Sequence, residues 1–192
     1  MIVVIGEALI DLIEDKALSG KYQAVVGGAN ANVAIALARA GVNQQLLARI
    51  SSDPFGQKIR QRLIENKVGL DYAVAAQEPT SVAIASIGPT GAASYSFYVE
   101  NTADWGWSKT ELPGAETIQA LGATALQFGC LAMAMPPGNA VIEAWAKDLF
   151  DNQLLTLSHD VNVRPALGFD RGSERARVER VNSFSHLIKA SD

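Results

Sequence analysis

The sequence predicts an α/β fold in which helices flank a parallel sheet, with a second, smaller β-sheet beside it. Short apolar strands alternate with helical segments through most of the 192 residues, which is typical of a parallel sheet with right-handed crossovers. Strand-like segments within 9–26 and 81–99 interrupt this alternation, so we assign them to the separate sheet. A chain of this length fits a single domain, which we place over residues 1–192.

Local signals define the elements of the first half of the chain. Residues 2–5 are a β-branched run that ends at Gly6, as expected for a strand buried on both faces. A small, apolar helix ends at Gly41, and the next helix begins with Asp53 as its N-cap and Pro54 in its first turn. In this half we expect strands at 2–5, 9–13, 22–26 and 45–50, and helices at 30–39 and 54–67.

The second half contains a hairpin and then returns to alternating strands and helices. Gly88-Pro89-Thr90-Gly91 predicts a turn that joins strands at 81–87 and 94–99. Beyond the hairpin we expect strands at 125–128, 154–158 and 187–189, and helices at 116–121, 139–150 and 173–182.

Composition and charge exclude several classes of protein. Hydrophobic residues make up 48% of the chain and charged residues 19%, which fits a folded protein with a core. The net charge is −4 and Lys and Arg do not cluster, so we expect neither a nucleic-acid nor a membrane partner. One cysteine and two histidines without ligand spacing predict neither a disulfide framework nor a bound metal.

The apolar N-terminus is predicted to be a strand rather than a targeting signal. It carries Glu7 and Asp11 and lacks a basic leader, unlike a signal peptide. No uninterrupted apolar run approaches the roughly 20 residues of a membrane span. We therefore expect a cytoplasmic protein.

A glycine pair precedes the first helix, in the segment Gly27-Gly28-Ala29-Asn30-Ala31-Asn32. Glycine lets the backbone approach a ligand closely, and the N-terminus of a helix adds donors and partial positive charge. The Asn32 amide offers both a donor and an acceptor to a hydroxyl group. A tight turn with a capping Asn fits the same pattern, so the spacing leaves both interpretations open. The chain contains neither the three-glycine dinucleotide fingerprint nor the lysine-containing phosphate loop.

Asp11 is a carboxylate inside an apolar segment, between Ile10 and Leu12. Burying a carboxylate without partners is costly, so Asp11 either points outward from a half-buried strand or is held by hydrogen bonds. Two adjacent hydroxyl groups of a sugar would supply such hydrogen bonds.

Three polar residues alternate in the segment 160–165, just past the strand predicted at 154–158. Ligands of such sheets bind outside the carboxyl ends of the strands, so Asp160, Asn162 and Arg164 are expected to face one side together. The guanidinium of Arg164 suits a phosphate or a carboxylate. A local salt bridge at the strand end is the alternative interpretation.

We interpret two other groups of residues as structural and not as parts of a site. Ser158-His159-Asp160 has the composition of a hydrolase triad, but neighbours in an extended chain point to opposite faces. Trp105 and Trp107 flank a loop beside Asp104, and packing anchors explain them better than a ligand pocket does.

Taken together, these segments resemble the PfkB family of carbohydrate kinases, which share the ribokinase-like fold. The matching stretches are GEALIDL at 6–12, the glycine pair with Asn32-Val33-Ala34, ARAG at 38–41, DPFG at 53–56 and DVNVRPAL at 160–167. Each stretch is weak alone, whereas the ordered set is specific and covers essentially the whole chain. Within the family, the chain is most similar to the fructokinase type.

The resemblance implies a sugar site built from both sheets. Asp11, Gly27, Gly28 and Asn32 would bind sugar hydroxyls. The small sheet would form a lid over the sugar, with Phe97 packed on it from above. The lid strands often pair two subunits, so a homodimer through them is implied as well.

The resemblance also implies the cofactors. ATP and Mg²⁺ would serve the transfer of phosphate to a small-molecule sugar. Asn162 and Arg164 would lie near the transferred phosphate, with Arg164 also contacting the substrate.

The chain departs from the family pattern in several places. Asn30 stands where a small residue or proline is usual, and Ser51 where a glycine is common. Val99 stands where related ketodeoxygluconate kinases carry an arginine for the substrate carboxylate, which favours a neutral sugar such as fructose.

The family's Gly-Ala-Gly-Asp segment, which supplies the catalytic base and an anion hole, does not occur in these 192 residues. We therefore expect a sugar-binding portion that lacks the C-terminal part of the fold, contains no catalytic residue and does not turn over substrate alone.

Three functions fit the sequence. The first is the sugar-binding part of an ATP-dependent kinase of fructose or a related sugar. The second is a non-catalytic sugar-binding module derived from a kinase, and the third is a 2-keto-3-deoxygluconate or nucleoside kinase of the same fold. They differ in the ligand that should stabilise the folded protein against heat, and in whether ATP is consumed.

Overall fold

A computed structural model describes residues 1–15, 18, 20–87 and 93–190. Its helices are α1 (Ala29–Arg39), α2 (Pro54–Glu65), α3 (Ala115–Ala120), α4 (Cys130–Ala134), α5 (Gly138–Asp151) and α6 (Arg171–Asn182). Its strands are β1 (Ile2–Ile5), β2 (Leu9–Glu14), β3 (Tyr22–Gly27), β4 (Gln44–Leu47), β5 (Arg49–Ser51), β6 (Val74–Ala76), β7 (Val82–Ile87), β8 (Ala93–Tyr98), β9 (Ala125–Gly129), β10 (Thr156–Asp160) and β11 (Leu187–Lys189). Each predicted helix and strand overlaps an element of the structure.

The central sheet confirms the predicted parallel architecture. Within the described residues it has five strands in the order β11–β10–β9–β1–β4, all parallel. β1 pairs with β4 on one side and with β9 on the other, so Val3, Val4 and Ile5 are completely buried. Because all the strands run the same way, the loops after β1, β9 and β10 meet at one edge of the sheet.

The lid sheet, which consists of β2, β3, β7 and β8, is a separate mixed sheet. Its order is β3–β2–β7–β8, with β2 antiparallel to β3 and parallel to β7, and β7 antiparallel to β8. The predicted pairing of the two N-terminal strands is confirmed by the register that places Asp11 opposite Val25. The predicted turn at 88–91 lies outside the described residues.

The prediction of one strand at 45–50 is wrong, because the chain changes sheets at Ala48. β4 belongs to the central sheet, whereas β5 pairs with β6 in a two-stranded parallel sheet. The side chain of Arg49 is buried in β5, where its guanidinium bonds the carboxylates of Glu78 and Glu111 and the carbonyl oxygen of Ala103. No turn residue marks this break, and neither β6 nor α4 was predicted.

The predicted start of α2 is confirmed in detail. The Asp53 carboxylate accepts a hydrogen bond of 2.7 Å from the backbone N–H of Gly56, and Pro54 occupies the first turn. The same carboxylate accepts bonds from the N–H and the hydroxyl of Thr80. The cap therefore also fixes the segment that leads into β7.

Two apolar clusters cover the opposite faces of the central sheet. Val3 and Ile5 belong to one cluster, and Val4 belongs to the other together with residues of α1 and α2. Trp105 and Trp107 lie in the first cluster and are each 3% exposed, which confirms their predicted packing role. Among the described residues, no helix is both long enough and apolar enough to cross a membrane.

Candidate functional site

A cavity of about 530 Å³ lies between the lid sheet and the carboxyl ends of the central strands. Its walls come from β2, β7 and β8 of the lid sheet and from the loops that follow β1, β9 and β10. Six of the seven residues predicted to form a site line it: Asp11, Gly28, Asn32, Phe97, Asn162 and Arg164. The topology therefore gathers residues that are distant in sequence around one space.

Asp11 is the lid-sheet carboxylate of this cavity. It lies on β2 between Val25 of β3 and Ala83 of β7, and it is half-buried. Burial raises the pKa of its carboxyl group above the ordinary value. Gly27 does not line the cavity, but a Cβ at this position would overlap the Asp11 carboxylate. Gly27 thus leaves the space that Asp11 occupies.

The glycine pair and α1 form the floor of the cavity. Gly28 is the N-cap of α1, with a φ of 100° that strongly favours glycine, and it has no side chain with which to cap the helix. The alternative interpretation of a capping Asn is therefore wrong. Asn32 instead lies in the first turn, exposed at the cavity wall.

Glu7 also lines the cavity, although no role was predicted for it from the sequence. Its side chain is only 1% exposed, and its carboxylate accepts hydrogen bonds from the Ala29 N–H, the Asn30 amide and the Ala132 N–H. Burial raises its pKa, and these donors partly offset the effect. The signal in the sequence was an acidic residue directly between Gly6 and Ala8 at the end of a buried strand.

A second buried carboxylate, Asp104, supports the same loop from the other side. Its side chain is 1% exposed and accepts a hydrogen bond of 2.8 Å from the Ala8 N–H. Burial is the main cause that raises its pKa to about 7. Asp104 does not line the cavity, so its role there is indirect.

The prediction that Asp160, Asn162 and Arg164 face one side together is wrong for Asp160. Asp160 is the last residue of β10, is 8% exposed and forms a salt bridge of 2.9 Å with Lys189 of β11. Asn162 and Arg164 follow the strand and do line the cavity. Asn162 has a positive φ of 33°, and such backbone strain occurs frequently at functional sites. The Arg164 side chain is exposed and donates to the Val163 carbonyl oxygen at 3.2 Å.

Aromatic side chains of β8 line the lid side of the cavity. Phe97 and Tyr95, two residues apart on the same strand face, have nearly parallel rings with centroids 6.3 Å apart. Tyr95 was not predicted, although the alternation along β8 would have indicated it. Val99 lies in the apolar core instead of the cavity, so it carries no information about the charge of a ligand.

The remaining groups are structural. His159 is buried, stacks on Phe128 and shares a hydrogen bond of 2.7 Å with Asn182, which excludes a triad with its neighbours. Among the described residues, no three His, Cys, Asp or Glu side chains come together in a way that suits a metal ion.

The fold and the cavity define a class of protein. A parallel sheet with helices on both faces, a ligand cavity at the carboxyl ends of its strands and a small mixed sheet over that cavity are features of the ribokinase-like fold. The chain belongs to the family described as pfkB family carbohydrate kinase, whose sequence profile matches residues 1–166.

Relatives within this family include fructokinases. The fructokinase of Rhizobium leguminosarum bv. trifolii is 32% identical over 198 residues, which include all of this chain and 57% of the relative. The structure of the Xylella fastidiosa fructokinase with bound ATP superposes with a TM-score of 0.86 at 25% identity, over 97% of this chain and 56% of that chain.

A double-mutant fructokinase from Vibrio cholerae O395, with fructose, ADP and a potassium ion bound, shares the fold. Its TM-score is 0.81 at 24% identity, over 98% of this chain and 59% of that chain. The chain thus spans less than 60% of the length of each of these three relatives.

Proposed function

We propose that the cavity binds a sugar, fructose, and that this chain supplies the sugar-binding portion of an ATP-dependent kinase that phosphorylates it. The observation that carries this proposal is the half-buried Asp11 carboxylate at the wall of a cavity of about 530 Å³, under a separate lid sheet. Cavities of a few hundred Å³ suit small ligands, and their few polar groups set ligand orientation.

The polar lining suits a polyhydroxylated ligand. A carboxylate accepts hydrogen bonds from two adjacent hydroxyl groups, and such bonds are stronger than those between neutral groups. Burial raises the pKa of the Asp11 carboxyl group, and hydrogen bonds from ligand hydroxyl groups would stabilise its ionised form. The Asn32 amide, on the floor, can donate to one hydroxyl and accept from another.

The lid supplies the apolar side of the same site. Phe97 and Tyr95 present aromatic faces to the cavity, and the C–H face of a sugar ring packs well on such surfaces. Closure of the lid sheet over the ligand would exclude water, which favours phosphoryl transfer over hydrolysis of ATP.

Arg164 and Asn162 would lie near the transferred phosphate. Arg164 is a lining cation, and guanidinium groups bind phosphate oxygens with two parallel hydrogen bonds. ATP would supply the phosphoryl group and Mg²⁺ its charge neutralisation.

The relatives support ATP and fructose as ligands. ATP is bound in the Xylella fastidiosa protein, and fructose and ADP in the Vibrio cholerae protein. We propose that these 192 residues supply the sugar site and not the base that removes the proton from the sugar hydroxyl.

The test is a titration of the 192-residue chain, by calorimetry, with fructose, glucose, ribose and 2-keto-3-deoxygluconate. Saturable binding of fructose, weakened in Asp11→Asn, is the expected result. Asp148→Asn, which alters an exposed carboxylate on α5, is the matched control and should bind normally. Binding of 2-keto-3-deoxygluconate or ribose in place of fructose would favour the alternative kinases.

The second arm measures ADP release with ATP, Mg²⁺ and the sugar that binds. We expect no turnover by the 192-residue chain. Turnover would show that the base lies within these residues and would contradict its assignment elsewhere.

We also propose that two subunits pair through the lid sheet. β3 and β8 are its edge strands, and they expose Tyr22 and Tyr98, which are 45% and 62% exposed. Light scattering should report a dimer that Tyr98→Lys converts to a monomer. The cytoplasmic location and the single domain over 1–192 stay predictions.

A further inference from the structure

We propose that Glu7 is a positioning residue, which holds the N-terminus of α1 and the helix α4 in fixed places at the floor of the cavity. The inference rests on the proposed function, since it concerns the placement of the residues that would meet the sugar.

The hydrogen bonds of Glu7 join three separate parts of the chain. One carboxylate oxygen accepts from the Ala29 N–H at 2.9 Å, in the first turn of α1. The other accepts from the Asn30 amide at 3.1 Å and from the Ala132 N–H of α4 at 3.2 Å. Glu7 itself lies in the loop between β1 and β2, so a single carboxylate links that loop to both helices.

The residues that surround Glu7 pack closely against it. Asn30 is completely buried, and its amide occupies the place where a Cβ of residue 6 would lie. The same amide also donates to the carbonyl oxygen of Gly129, at the carboxyl end of β9, at 3.4 Å. Asn30 does not line the cavity, so its connection to the ligand runs through Glu7 and the backbone.

Glu7 also accepts hydrogen bonds from backbone N–H groups that the helix N-terminus would otherwise offer to a ligand. The Ala29 N–H bonds its carboxylate, and the Ala31 N–H bonds its backbone carbonyl oxygen at 3.3 Å. The partial positive charge at the start of α1 is therefore balanced by an internal anion. Asn32 and the backbone of Gly28 also line this end of the cavity, where they offer polar groups to a sugar.

The experiment compares Glu7→Gln with a matched control on the 192-residue chain. Glu174→Gln replaces another largely buried glutamate, which pairs with Arg177 on α6 and does not line the cavity. Glu7→Gln places an amide NH₂ group against the two donors that point at the carboxylate, which displaces the groups that carry these donors. We therefore expect about a tenfold loss of fructose affinity. Glu174→Gln should change the affinity by less than about twofold, even if it lowers the melting temperature.

Asn30→Ala separates positioning from direct contact with the sugar. It removes one donor to Glu7 and leaves the cavity lining intact, so a weaker fructose affinity is expected here too. Wild-type affinity in both Glu7→Gln and Asn30→Ala, below their melting temperatures, would overturn the proposal. Weak binding by Glu7→Gln alone would mean that Glu7 contacts the sugar directly, which also overturns it.

Hydrogen exchange gives a readout that needs no sugar. Glu7→Gln should speed amide exchange in residues 28–32 and in residues 130–134, whereas Glu174→Gln should not. If the wild-type chain bound no sugar, the proposed function would fail and this exchange pattern alone would decide the role of Glu7. Unchanged exchange in both segments would overturn it.

Discussion

The buried carboxyl group of Asp104 should make the stability of this protein depend on pH. Its side chain is 1% exposed and accepts a hydrogen bond from the Ala8 N–H. Burial is the largest cause that raises its pKa from 3.8 to about 7, and the neighbouring Glu7 carboxylate raises it further. The Ser81 hydroxyl and the Ala8 amide offset part of this rise.

The direction of the pH effect follows from proton binding. Between the two pKa values the folded protein keeps the Asp104 proton that the unfolded chain releases, so the free energy of unfolding falls as the pH rises. At about 1.4 kcal/mol per pH unit, the interval from 3.8 to about 7 corresponds to about 4 kcal/mol. Above about pH 7 both states are ionised and the loss stops growing.

Asp104→Asn removes the titration and keeps an oxygen that can accept from Ala8. Urea unfolding at several pH values from about 4 to about 8 should show the variant gaining about 4 kcal/mol relative to wild type. Asp148→Asn, on the exposed side of α5, should show no such gain. Parallel stability curves for wild type and Asp104→Asn would refute the reasoning, whatever the offset between them.

Three further predictions concern single side chains. Asp11→Ala should weaken fructose binding about 10- to 100-fold, because hydrogen bonds to a charged group are worth about 1.5–3 kcal/mol. Burial raises the pKa of Asp11, so the ionised carboxylate destabilises the folded state. Asp11→Ala should therefore not lower the melting temperature, and a clear drop in the melting temperature would contradict this reasoning. Phe97→Ala should weaken fructose binding in calorimetry while Phe97→Tyr retains it, because the lid contact depends on the ring. Asp53→Ala should lower the free energy of unfolding by about 1–2 kcal/mol in urea, through loss of the α2 cap, with sugar affinity unchanged. Equal fructose affinity in both Phe97 variants, or unaltered stability in Asp53→Ala, would each count against the corresponding contact.

Much of the fold was predictable because its signals are local. The β-branched run of β1, the Asp53-Pro54 start of α2 and the alternation of strands with helices depend on neighbouring residues. Three of the residues that line the cavity, Asp11, Asn32 and Arg164, were predicted because they are polar groups at the ends or on the edges of apolar segments. Their convergence then follows from the shared edge of a parallel sheet.

The features that escaped prediction depend on contacts between distant parts of the chain. The break at Ala48 is set by pairing of β5 with β6 and by the burial of Arg49 among acidic partners, none of which appears in the local pattern. Asn30, a departure from the expected glycine motif, is explained by its bond to Glu7. The hydrogen bonds of Glu7 could not be inferred from residues adjacent to it.

The separation of these contacts along the chain has a consequence for how the protein becomes functional during synthesis. Glu7 bonds Ala132, 125 residues away, and Ala8 bonds Asp104, 96 residues away. A nascent chain that has emerged only as far as residue 100 already contains Asp11, Asn32 and Phe97, yet it lacks both partners that hold the loop after β1. Contacts between residues this far apart form late in folding, because the chain loses the entropy of loop closure before the contacts contribute any stability. Affinity for the ligand should therefore arise abruptly on the ribosome, once the residues after β9 have been released, instead of growing with chain length.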